Sequence, residues 1–290
     1  MAVYERAYRR YEGPLTAPRK RFLILPRYAF GQVFRSRLFT AFYALCFGYP
    51  LVCAILIYLQ YNASALKFLE LDLSRLPAFL VIDERFFLRF LRVQGNGLGF
   101  LVTLVVGPSL VSPDLRNNGL ALYLSRPFSR TEYVAGKMTV LVVLLSAITW
   151  VPGLLLFVLQ AYLAGTSWVG DHGRIFVAVL LSSWIWILLL SLLALAVSAT
   201  VKWKPVASAA LIAVFFLAAA LGATLNFTLG TRWGSLLNLG LMIETVWSGL
   251  FGLPVPAEVP VGAAWIALLA ACAASLWLLA RKVRAYEVVR

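Results

Sequence analysis

The sequence predicts an all-α polytopic membrane protein: six transmembrane helices, an amphipathic helix before the first, and short re-entrant outer helices before the sixth. Three observations carry this. The chain is 62% hydrophobic and only 13% charged, against about 25% charged residues in soluble domains. Its apolar runs reach the length needed to cross a hydrocarbon core of about 30 Å. Its 26 Lys and Arg are distributed unevenly between the segments joining those runs.

Residues 1–21 are basic and broken by Gly13, Pro14 and Pro18, and they form an irregular arm. From Phe22 to Arg37, Phe22, Phe30, Val33 and Phe34 share one helical face while Arg27, Gly31 and Arg35 share another. This predicts an interfacial amphipathic helix, the alternative being the first turns of the next span. No signal peptide is expected, because the first long apolar run starts after about 37 residues.

The expected spans are 38–61, 94–112, 138–163, 175–201, 206–227 and 261–280, within a transmembrane domain of 38–280. The flanks are the 1–37 arm and helix and the 281–290 basic tail. The first run has no charge. The second is the weakest, with only 98–111 clearly apolar and Pro108 within it. Before it, Asp83 can cap a short surface helix with Phe86, Phe87, Phe90 and Leu91 on one side and Arg85, Arg89 and Arg92 on the other. Its expected role is anchoring at lipid headgroups. The third run contains Pro152, and a short turn, 164–174, separates it from the fourth. The stretch 228–260 is semi-apolar and interrupted by Gly and Pro, which suits short helices dipping into the outer leaflet.

Charge assigns the sides. The 1–37, 112–137, 202–205 and 281–290 segments hold 19 Lys and Arg, and the opposite segments hold 7. By the positive-inside rule both termini and the 112–137 loop are cytoplasmic. The net charge of +14 is thereby explained without nucleic acid.

Chemistry within a membrane needs ionisable groups at depth, and the six expected spans contain none. Glu244 falls in the outer stretch, where an interfacial position is expected. His172, the one histidine, is expected as a solvated turn residue. Cys46, Cys53 and Cys272 show no metal or disulfide spacing. Gly136-Lys137 fails as a phosphate loop, because GxxxxGK[ST] requires Gly at position 131 and Ser or Thr at 138, which are Thr131 and Met138. Lys137 is expected to snorkel to water instead. No catalytic site, metal or cofactor is expected on the chain.

The 112–137 loop is the most structured polar segment. Ser112-Pro113-Asp114 resembles a helix start. A short helix with Leu120 and Leu124 on one face follows, ended by Pro127. Ser129-Arg130-Thr131-Glu132 is a capping box opening the third span. Leu120, Leu122 and Leu124 either contact a partner or tuck against the membrane.

The run SPDLRNNGLALYLSRPFSRTEYVAGKMTVL resembles the loop between the second and third membrane helices of ABC-2-type transporter permeases. The matching positions are Asp114, Gly119, Leu120–Leu124, Ser125-Arg126-Pro127, Ser129-Arg130, Glu132-Tyr133 and Gly136-Lys137. Departures are the short second span and Pro113 beside Asp114. The resemblance implies one membrane subunit of a type V-like ABC exporter, with an amphipathic elbow helix before the first of six spans. It implies a second permease subunit, alike or different, two separate ATP-binding subunits that hold ATP and Mg, and a bacterial cytoplasmic membrane. The coupling surface it implies comprises Asp114, Leu115, Leu120, Leu124, Arg126, Phe128, Arg130 and Glu132. The apolar spans favour an amphipathic or lipid-like cargo. The competing classes are a non-transporting membrane anchor or assembly subunit of the same fold, and a membrane enzyme or electron-transfer subunit.

Overall fold

The computed structural model describes residues 24–62, 81–117 and 129–283. Among the described residues the secondary structure is entirely helical. Six helices are long and apolar enough to span a membrane: Arg37–Tyr61, Glu84–Arg116, Arg130–Ala164, Arg174–Ser198, Lys204–Leu229 and Val261–Lys282. The protein is an integral, multi-pass membrane protein.

The chain opens with α1 (Ile24–Val33), whose Leu25, Pro26 and Ala29 are buried while Arg27, Gly31 and Arg35 face outward. The expected polar face is therefore present. On the apolar side, burial centres on Leu25 and Ala29, and Phe34 is exposed. The first span is α2 (Arg37–Leu45), capped by Ser36, followed by α3 (Gly48–Tyr61). It breaks at Cys46 and Phe47 because Pro50 has no N–H to donate to the Cys46 carbonyl. The buried Gln94 donates its Nε2 to that carbonyl instead, at 2.7 Å.

The second span corrects the sequence reading. It is not a short 94–112 helix behind a separate surface helix. α4 (Glu84–Leu91), a π-helical segment (Arg92–Gly99) and α5 (Phe100–Arg116) form one 33-residue rod. At 1.5 Å per residue that is about 50 Å, ample for a bilayer core. Asp83 caps it as expected, accepting from the Arg85 and Phe86 N–H groups. The aromatic face of α4 does not rest on lipid headgroups. Phe87 and Phe90 are fully buried, against Phe157 and Tyr49.

Two charges on this rod have partners far along the chain. Arg92 pairs with Glu244, and Glu84 lies 2.8 Å from His172 Nδ1. His172 also stacks on Trp168, with centroids 4.9 Å apart. It belongs to α8 (Thr166–His172), so the expected turn with a solvated histidine is a helix with a half-buried one. Glu244 is the ion-pair partner of Arg92.

The third span runs through α6 (Arg130–Ile148) and α7 (Trp150–Ala164), bent at Thr149, three residues before Pro152. The fourth, α9 (Arg174–Ser198), is the hub. Residues 189–196 are all buried, as expected for a helix apolar on every face. It touches α4, α5, α6, α7, α10, α11 and α12. Close approach of α9 to α5 depends on Gly107, where a Cβ would stand 2.7 Å from that of Ala194.

The fifth span is α10 (Lys204–Leu229). After it come a 3₁₀ turn (Trp233–Leu237) and α11 (Leu239–Phe251), then the sixth span, α12 (Val261–Lys282). α11 is too short to cross, yet Met242, Ile243, Val246 and Trp247 are fully buried. Trp247 Nε1 donates to the Ser182 carbonyl and Trp186 Nε1 to that of Gly95, which ties α11, α9 and the π segment together. By contrast α3, α10 and α12 leave large apolar side chains exposed, among them Leu51, Phe216, Leu221 and Ile266. Such faces suit lipid contact.

Candidate functional site

Both ends of the 112–137 loop are described, and they are locked together. The first surprise is local. Ser112-Pro113-Asp114 does not start a helix, since α5 continues through it to Arg116. Prolines interrupt the α5 ladder, and serines from neighbouring helices complete it. Pro108 cannot donate to the Leu104 carbonyl, and Ser208 Oγ donates there at 3.1 Å. Ser198 of α9 accepts from the Ser112 N–H at 2.9 Å and donates to the Pro108 carbonyl at 3.3 Å. Ser112 Oγ donates in turn to the Ser198 carbonyl at 3.1 Å. Non-ideal backbone in a membrane helix needs such partners, because lipid supplies none.

Asp114 and Leu115 therefore lie in the last turn of α5. Leu115 is half-buried against the core. A carboxylate near a helix C-terminus faces the negative end of the dipole, and Asp114 is compensated from α6. Lys137 Nζ lies 2.8 Å from Asp114 Oδ2. The Tyr133 hydroxyl donates to the same oxygen at 2.7 Å. Tyr133 is fully buried, and Lys137 Nζ sits 5.6 Å from the centre of its ring. Tyr133 and Lys137 are four residues apart, so one face of α6 presents both to Asp114. Lys137 does not snorkel to water: it is 8% exposed and salt-bridged.

The capping box is present as expected. The Ser129 N–H donates to Glu132 Oε2 at 2.7 Å and the Glu132 N–H to Ser129 Oγ at 3.1 Å. Glu132 thus serves the start of α6, and Arg130 is exposed beside it. Leu120, Leu124, Arg126 and Phe128 lie outside the described residues. Sequence reasoning missed Tyr133 and Lys137 as members of the site, although their i, i+4 spacing opposite an acidic helix end is a legible signal.

The cluster has the makings of a mechanical joint. One carboxylate oxygen receives a cation and a hydroxyl in a largely buried setting, where charge-assisted bonds are short and strong. It ties the end of the second span to the start of the third.

The same end of the molecule gathers other basic segments. A cavity of about 170 Å³ is lined jointly by α1, α5, Lys137 of α6 and Lys204 at the start of α10. The opposite end gathers Glu84, His172 and Arg174, whose guanidinium donates to the Gly249 and Leu250 carbonyls at 2.7 Å. Successive spans therefore alternate in direction, as six crossings require. No protein-family model and no curated protein matches this chain.

Proposed function

We propose that this protein is the membrane subunit of an ATP-driven exporter, resembling the ABC-2-type permeases, in which a separate ATP-binding subunit acts on the 112–137 loop. The observation that carries this is the Asp114–Tyr133–Lys137 joint. The loop residues that carry the resemblance include three that come together in space at the loop's base. A loop anchored this way transmits force to two spans at once. The sequence holds no GxxxxGK[ST] phosphate loop, and in this reading ATP is hydrolysed by the partner.

In this reading the termini and the loop are cytoplasmic, α1 is an interfacial elbow, and α11 re-enters from the outer side. Two permease subunits enclose the path, and their apolar walls suit an amphipathic or lipid-like cargo. ATP and Mg reside on the partner.

The test is co-purification with an ATP-binding subunit encoded beside this chain, then reconstitution in vesicles. Leu120→Asp with Leu124→Asp is expected to release the ATPase while the membrane subunit stays folded by size-exclusion profile. A partner that remains bound overturns the coupling surface. Partner binding without cargo movement or cargo-stimulated hydrolysis points instead to a non-transporting anchor.

A further inference from the structure

The cavity beside Lys137 brings cationic and hydrogen-bonding groups next to an apolar helix face. Its polar lining is Gln32 of α1, Ser36, Ser109, Lys137 and Lys204, and its walls include Val105. A second surface hollow on α1 shares Gln32 and adds Arg27 and Arg35. Among the described residues the two hollows are lined by four cations and no acid. Asp114 accepts one of the three protons of the Lys137 ammonium, which leaves donor capacity on a side chain that also lines the cavity. Lys204 makes no salt bridge among the described residues.

Size and surroundings narrow the ligand. The cavity, about 170 Å³, is of headgroup size. The rest of the ligand has an apolar path. Val105 lines the cavity and is 55% exposed, and Leu101, one turn further along α5, is 45% exposed. A phosphate among lysines with acyl chains along that face satisfies both halves of the site.

We infer that the cleft between α1, α5, α6 and α10 binds the phosphate headgroup of an anionic phospholipid, with Lys204 and Lys137 as its cationic ligands. This rests on the membrane character of the chain and not on the exporter reading. The occupant would also brace α1 against the helices whose ends hold the coupling joint.

The test is native mass spectrometry of the full chain released from detergent containing equal phosphatidylglycerol and phosphatidylcholine. One phosphatidylglycerol per chain is expected to be retained preferentially. Lys204→Gln should cut that retention about fivefold, the loss of one lysine's contribution at a lipid surface. Lys204→Arg should keep it, and Lys202→Gln, whose side chain does not line the cavity, should leave it unchanged. Equal retention of the two lipids overturns the proposal, as does equal loss in the Lys202 and Lys204 variants. Displacement of the lipid by millimolar inorganic phosphate assigns the pocket to free phosphate and overturns the lipid occupant.

Discussion

Lys137 and Asp114 meet at 2.8 Å across the base of the 112–137 loop, joining helices that the loop itself separates. Breaking one half of a buried pair strands the other charge, at a cost of about 3 kcal/mol or more, whereas replacing both by apolar groups is often near neutral. Lys137→Met and Asp114→Leu are each expected to lower thermal stability in nanodiscs, and the double variant to recover most of the loss. Additive losses would show that the two residues act independently.

Gln94 and Pro50 are expected to be coupled in the same way. Gln94→Leu removes the donor to the Cys46 carbonyl, which should cost about 1–3 kcal/mol. Pro50→Ala restores an N–H able to bond that carbonyl, so it should rescue Gln94→Leu more than it stabilises the wild type. Denaturation of all four forms measures the coupling.

Gly107 sets the separation of the second and fourth spans. A side chain there meets Ala194 at once, and overpacking typically costs about 1–3 kcal/mol. Gly107→Val should reduce stability by that order. Ala194→Gly should relieve it, and failure of the rescue would mean that this contact does not set the spacing.

The proposed sidedness is checked by accessibility. On a background with Cys46, Cys53 and Cys272 replaced, a cysteine at Ser129 should react with an impermeant thiol reagent only from the cytoplasm. One at Ser167 should react only from outside. Both native side chains are exposed, and the reverse pattern would overturn the assignment.

What the sequence by itself determined is the set of features that depend on neighbours along the chain. Five long apolar runs and a shorter one at 98–111 pointed to six crossings. Ser129 with Glu132, and Asp83, announced helix starts, because a cap bonds within three residues of itself. The tertiary structure decided what happens to polar groups placed among apolar ones. Read along the chain, Arg85, Arg89 and Arg92 argue for a surface helix. In the fold Glu244 pairs with Arg92 and His172 hydrogen-bonds Glu84, and the segment joins the second span. Lys137 reads as a snorkelling residue until Asp114 arrives from the preceding helix. Pro108 reads as an interruption until Ser208 satisfies the carbonyl it leaves open, as Gln94 does for the one left open by Pro50. A membrane exacts a high cost for each unpaired charge or carbonyl. Where such a group can sit therefore depends on its partner, and most of these partners are brought near only by packing.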